Sequence, residues 1–317
     1  MNITTLTRRY SRRPLAKPNG VYYLWRFVGN GVRTVRALTT APQFDDTALI
    51  AGKLKKDGIA VAPSDAFLSD AGRRALVVAA EQVLDRSRRV DRDAIEAAMP
   101  PDTRTKKFLV HLASFPHGID PDDPLLKVGL DPRLLEIVAT YLGLWPSLYS
   151  IGAWLNYPTD APPELSQLWH RDPEDIKLIK AFIYLSDVDE HCGPFTYIPK
   201  THPFGARNRK ARQLQKRSRV DDDRMTATFP PAAWRVCTGP ANTMILADTV
   251  GYHRGGKPIA GHRILMTFSY TSGTPIDDSG LWLQRPPAWI SRAIQKSAVA
   301  WLVDGAHRRQ IRKQKHQ

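Results

Sequence analysis

Gln167-Leu168-Trp169-His170-Arg171-Asp172 is the stretch on which the reading of this chain turns, and Tyr252-His253-Arg254-Gly255-Gly256 followed by Arg263 completes it. In a strand, residues two apart point to one face, so His170 and Asp172 reach the same side while Arg171 faces away. One imidazole and one carboxylate hold a divalent ion only loosely, so a third ligand has to come from another strand. His253 is the best candidate: it follows the apolar run Met244-Ile245-Leu246-Ala247 and precedes two glycines that let backbone or ligand approach closely. His-x-Asp alone is a weak signal in a chain with nine histidines. The order of all four residues on expected strands carries the weight. Two histidines and one carboxylate on one face leave three open positions, the arrangement that suits non-haem Fe(II) and oxygen activation.

Arg263 opens the run Ile264-Leu265-Met266-Thr267-Phe268-Ser269-Tyr270 and shares a strand face with Leu265, Thr267 and Ser269. A barrel interior tolerates a guanidinium only when it is paired, because an unpaired buried charge is strongly destabilising. A planar fork matches a carboxylate bidentately, so the distal carboxylate of 2-oxoglutarate is a natural partner, its keto-acid end chelating the iron.

The surrounding sequence frames this site. Gly58-Ile59-Ala60-Val61-Ala62 reads as an early strand after a turn. The spacing predicts a helix over 70–88 and a second one with Asp131 as N-cap, Pro132 at its first position and Gly143 as its stop. From about Leu148 the texture changes to short apolar runs between Pro, Gly and Asp, at Leu178–Leu185, Phe195–Ile198, Thr243–Leu246 and Ile264–Thr271. Such strands suggest an antiparallel barrel or jelly roll. An amphipathic helix is expected from Trp289 to Leu302. One enlarged domain fits the 317 residues: a basic extension over 1–45, the β domain with its N-terminal helices over 46–287, and a C-terminal helix and basic tail over 288–317.

The net charge of +15 is unevenly placed. Residues 1–40 hold eight bases and no acid, residues 205–219 seven and no acid, and residues 307–317 five and no acid. Without these twenty, twenty-six bases face thirty-one acids, so the excess belongs to two tails and one internal segment. Tracts of this kind bind nucleic acid, an anionic membrane or an acidic substrate, and equally serve as solvated tails. In Val21-Tyr22-Tyr23-Leu24-Trp25-Arg26-Phe27-Val28, aromatic and basic residues alternate in a way that suits a lipid headgroup layer, with packing on the core as the plainer reading. Cys192 and Cys237 are too few for a disulfide scaffold and lack zinc-site spacing, which points to free thiols in a reducing compartment. No apolar run approaches a membrane span, so the expectation is a cytoplasmic protein with peripheral membrane contact as an option.

Three further blocks extend the motif. Lys180–Asp189, Cys192-Gly193-Pro194-Phe195-Thr196-Tyr197-Ile198-Pro199 and Thr201-His202, taken with Trp169-His170-Arg171-Asp172, resemble the phytanoyl-CoA dioxygenase family over about residues 148–272. The family pattern reads approximately W-H-x-D, an apolar strand ending L-x-D-V, N-G-P, then P-G-S-H. Cys192 stands where Asn is usual and Lys200-Thr201 replaces Gly-Ser, changes confined to a turn. The resemblance implies a mainly β fold with flanking helices, a double-stranded β-helix (cupin-like jelly roll), with His170, Asp172 and His253 as iron ligands and Arg263 as the 2-oxoglutarate anchor. It also brings in Asn156 as a 2-oxoglutarate contact and Thr196 or Tyr184 as pocket residues, three positions that strand packing or a turn explains as well. Asp172 favours hydroxylation, since related halogenases carry a small residue there. His202, His191 and His262 read as structural or exposed, and Arg254 and Lys257 as facing either substrate or solvent.

The leading functional class is therefore an Fe(II)- and 2-oxoglutarate-dependent dioxygenase, using O2 on a small-molecule or lipid-linked substrate and releasing succinate and CO2. The long basic segment at about 204–224 is expected to act as a lid that selects an acidic substrate through Arg207, Arg209 and Arg212. A non-catalytic metal-binding jelly roll is the alternative. A nucleic-acid binder ranks last, because the barrel segments lack an aromatic-basic platform.

Overall fold

In the computed structural model, residues 17–91, 108–115, 117–214, 219–276 and 279–314 are described. Among the described residues, nine strands form two antiparallel sheets: β1 (Ile59–Pro63), β2 (Leu109–Ala113), β3 (Ser147–Asn156), β4 (Ile179–Tyr184), β5 (Phe195–Tyr197), β6 (Arg235–Cys237), β7 (Thr243–Ala247), β8 (His253–Gly255) and β9 (Arg263–Thr271). The major sheet runs β1-β7-β4-β9-β3-β2 and the minor sheet β6-β5-β8. His170 extends the minor sheet by an antiparallel bridge to His253, and Trp169 bridges onward to Val220. From β3 onward the chain crosses between sheets: β3 major, the 169–170 segment minor, β4 major, the β5–β6 pair minor, β7 major, β8 minor, β9 major. This alternation, with the central order β7-β4-β9-β3 facing β6-β5-β8, is a double-stranded β-helix.

Each expected strand from Phe195 onward is present within one residue or so of its sequence limits. The 167–172 stretch is the exception. The sequence predicts a strand there, but only Trp169 and His170 form bridges, and Asp172 is held by a single bond from its N–H to Thr249 O (2.8 Å). Pro173 follows, with no N–H to continue a ladder.

Helices cover the outer face of the major sheet. The helix Pro132–Leu142 begins where expected: Asp131 accepts from Leu134 N (3.0 Å), and Gly143 ends it at φ +76°. The helix Asp70–Arg88 is capped by Ser69, and Thr47–Asp57 packs on Pro132–Leu142. The C-terminal helix, Ala293–Gln314, starts later than its apolar pattern suggests. Pro286 and Pro287 lie ahead of it, and Trp289 instead donates to Pro121 O (2.8 Å). Together these helices and the major sheet enclose the main core, which includes Tyr22 and Trp25 from the N-terminal segment. Trp25 Nε1 donates to the buried Asp175 (2.8 Å), so residues 20–39 are packed structure. Residues 1–16 and 315–317, which hold part of the basic tracts, lie outside the described residues.

Candidate metal centre

The bridge between His170 and His253 places the two imidazoles side by side. Each residue's N–H donates to the other's carbonyl, His170 N to His253 O at 2.9 Å and His253 N to His170 O at 3.0 Å. The rings lie 4.2 Å apart between centroids. Each ring's Nδ1 sits against a carbonyl two residues back, Leu168 O (2.8 Å) for His170 and Gly251 O (3.0 Å) for His253. A carbonyl only accepts, so Nδ1 carries the proton and the Nε2 lone pair is left for a metal.

Both Nε2 atoms converge on Asp172, His170 at 3.7 Å from Oδ1 and His253 at 3.5 Å from Oδ2. All three residues are buried, and their ligand atoms lie within 4.8 Å of one another. Burial, and then the neighbouring His253, hold the His170 pKa well below the usual imidazole range; burial also lowers the His253 pKa. Burial pushes the Asp172 carboxyl up, but Lys180 and the two histidines outweigh it and bring its pKa below the usual carboxylate range. Two neutral imidazoles and one carboxylate are the protonation states a divalent metal requires.

Lys180 joins this site from outside the motif. Its Nζ lies 2.6 Å from Asp172 Oδ2 and 3.2 Å from Glu174 Oε1. An ammonium is thus seated on the Asp172 carboxylate, where a bound cation would place its charge. Burial disfavours that charge, but Asp172 and Glu174 outweigh burial and raise the lysine's pKa. Strand alternation was the available signal: Lys180, Phe182 and Tyr184 occupy one face of β4.

The triad opens into a cavity of about 270 Å³ that also contains Asn156, Arg263, Thr267 and Ser269. Asn156 and Arg263 are register partners on β3 and β9, and Arg263 Nη2 donates to Asn156 Oδ1 (3.0 Å). Arg263 Nε and Nη1 are buried with no protein partner. Gly255 explains why the arginine fits: a Cβ there would stand 3.2 Å from Arg263 Nη2. The residues therefore suit a metal at the triad and a carboxylate at the guanidinium.

Other expected site residues are placed differently. Tyr184 borders the cavity, but its hydroxyl is engaged, donating to Cys237 O (2.8 Å) and accepting from Phe195 N (3.0 Å). Thr196 is not among the residues lining the cavity; its Oγ1 donates to Pro194 O (3.2 Å), and Phe195, on the opposite face of the strand, occupies the wall. His202 is buried away from the triad with Nε2 against Lys55 O (3.1 Å), while His191 and His262 are exposed.

The described part of the basic segment is packed against the outer side of the site. Ala211, Leu214, Val220, Met225 and Phe229 form a small core with Trp169 and Tyr252. The outward-facing neighbours of the triad residues hold it there. Arg171 donates to Asn208 Oδ1 (3.2 Å) and stacks on Tyr252 (4.4 Å). Arg254 pairs with Asp222 and stacks on Trp169 (4.8 Å), and it is not among the residues lining the cavity. Arg207, Arg209 and Arg212 do not line the cavity. Arg219 does, and it was not singled out from the sequence.

No family model matches the sequence, and no curated protein matches it. Solved structures of similar shape include the non-heme alpha ketoglutarate dependent epimerase SnoN from nogalamycin biosynthesis, with TM-score 0.47 and 15% identity over 78% of this chain and 91% of that one. EctD from S. alaskensis with 2-oxoglutarate and 5-hydroxyectoine gives TM-score 0.48 and 18% identity over 90% and 92%. The non-heme monooxygenase ThoJ in its nickel complex gives 0.42 and 18% over 84% and 99%. The fold assignment rests on the strand order, not on these scores.

Proposed function

We propose that this chain is an Fe(II)- and 2-oxoglutarate-dependent dioxygenase that hydroxylates a C–H bond of a small, anionic or lipid-linked molecule. The catalytic unit would be residues 46–287, framed by the segments 1–45 and 288–317. One observation carries the reading: the cavity that holds the His170–Asp172–His253 triad also holds a buried guanidinium with two unpartnered N–H groups. Fe(II) bound there would supply the oxidising chemistry, coupling decarboxylation of the keto acid to succinate with hydroxylation by O2.

The chain's own residues supply position and exclusion of water. The Nδ1–H bonds to Leu168 and Gly251 lock both imidazoles with Nε2 inward. Arg263, steadied by Asn156, receives the far carboxylate of the co-substrate as a bidentate partner. Phe182, Phe195, Leu265 and Trp154 make apolar walls that limit water. Lys180 holds Asp172 until a divalent cation replaces it, with Glu174 available to retain the ammonium. Arg219 at the cavity supports the choice of an anionic substrate.

Anaerobic titration with Fe(II) and 2-oxoglutarate tests the reading. Wild type should develop the metal-to-ligand absorption band of the ternary complex, and His170→Ala should not. A band retained in His170→Ala would refute the site.

A further inference from the structure

The helix Gly31–Thr39 is mounted with its polar side inward. Thr34 is fully buried and donates through Oγ1 to Arg26 O (2.8 Å). Arg33 donates to the carbonyls of Trp145 (3.1 Å), Pro146 (2.9 Å) and Ser297 (3.0 Å). The apolar side, Val32, Val35 and Leu38 at spacings of three, is 69%, 56% and 65% exposed. A helix packed on a globular core normally does the reverse. The preceding segment repeats the pattern in part: Tyr22 and Trp25 anchor it in the core, while Tyr23, Leu24, Phe27 and Val28 stand out. Of the twelve large hydrophobic side chains exposed among the described residues, seven fall between Tyr23 and Leu38, so this is a patch and not scatter.

The sequence through the patch carries charge of one sign. Residues 1–40 contain eight bases and no acid. Beside the patch lies a cleft of about 630 Å³ bordered by Leu38, Arg26, Lys55, Lys177 and Arg292, with Glu136 as its one acid. Lys177 is buried there with its Nζ on Tyr141 O (2.7 Å). Two copies meeting through this face would oppose like charges, whereas an anionic bilayer complements both its apolar and its basic parts. No helix among the described residues is long and apolar enough to cross a membrane, so the contact would be peripheral.

We infer that residues 20–39 form a docking face for an anionic lipid surface, with the exposed apolar side chains entering the acyl boundary and the exposed cations Arg36 and Lys55 lying among headgroups. This deepens the lipid-linked part of the proposed function, yet it is tested with neither metal nor co-substrate, so either can fail without the other. The experiment is flotation of the full-length protein with vesicles of phosphatidylcholine alone, or with ~30 mol% phosphatidylserine. Wild type should float with the anionic vesicles, less with the neutral ones, and less again when salt is raised. Phe27→Glu with Val35→Glu should lower partitioning about tenfold or more with the circular dichroism and Tm unchanged. Val32→Gln with Leu38→Gln, a milder pair, should lower it in the same direction. Wild type that fails to float, or either double variant that floats as wild type does, overturns the inference. So does self-association of wild type that the same substitutions abolish, because the face would then belong to a second copy.

Discussion

Replacing Arg263 by Met should make the ligand-free protein more stable and remove its response to 2-oxoglutarate. The guanidinium is buried and makes one hydrogen bond, to Asn156, leaving Nε and Nη1 without a partner. Burial lowers its pKa, the sign of a cation held at a cost. An uncompensated buried charge costs several kcal/mol, and the bond to Asn156 returns about 1 kcal/mol. Methionine, apolar and of similar reach, should thus bring a net gain of roughly 1–3 kcal/mol. At roughly 2–4 °C for each kcal/mol in a protein of this size, Tm should rise by several degrees. Binding should move the other way. Two charge-assisted hydrogen bonds to a carboxylate contribute about 1.5–3 kcal/mol each, so affinity should fall by roughly 10²–10⁴-fold. The assay is thermal unfolding with Mn(II) in place of iron, with and without 2-oxoglutarate. At a concentration ~100 times Kd the co-substrate stabilises wild type by about 2.7 kcal/mol, and Arg263→Met should show no such shift. The reasoning is refuted if the variant loses stability, as when one half of a buried ion pair is removed, yet still responds to 2-oxoglutarate.

Three other expectations concern different parts of the molecule. Lys180→Met should tighten Co(II) binding at the triad by about tenfold, since the incoming cation no longer displaces an ammonium from Asp172; weaker binding in an optical titration would show that the lysine helps to build the site. Gly58, at φ +79°, ends the helix Thr47–Asp57, and a Cβ there would run into the Tyr197 hydroxyl and stand 2.5 Å from His202 Nδ1. Gly58→Ala should therefore cost about 2–4 kcal/mol in urea unfolding, and a loss under ~1 kcal/mol would mean that His202 moves aside freely. Burial pushes the Asp175 carboxyl up from 3.8 to about 6. An acid whose folded pKa is raised contributes stability below its unfolded pKa and loses it as pH rises through the folded value. The stability of wild type relative to Asp175→Asn should accordingly decline between about pH 4 and 6, by up to roughly 3 kcal/mol. A difference that is flat across that range would contradict the buried-acid account.

Much of the site was legible because it depends on local periodicity. His170 and Asp172 are two apart, and Arg263, Leu265, Thr267 and Ser269 border one cavity, as alternation along β9 requires. The caps at Asp131 and Gly143 were equally readable, since each acts within one helical turn. Thr196 was misplaced by a single step of the same alternation: the family pattern marks the segment without saying which face of so short a strand turns inward. The roles of Arg171 and Arg254 were out of reach because their partners, Asn208 and Asp222, come from a segment whose docking no local pattern describes.

The order of residues along the chain was sufficient to indicate an antiparallel barrel or jelly roll, a triad of metal-ligand types and an arginine that needs an anion, because strand alternation and ligand chemistry act over a few residues. Only the tertiary structure decided that Lys180 sits on the Asp172 carboxylate, that the described part of the basic segment is packed and offers Arg219 to the cavity, and that the helix Gly31–Thr39 turns its apolar side to solvent. Each of these depends on which distant surfaces meet when the sheets close. The hydropathy of a helix sets which face is apolar, but what that face meets is determined by everything packed around it.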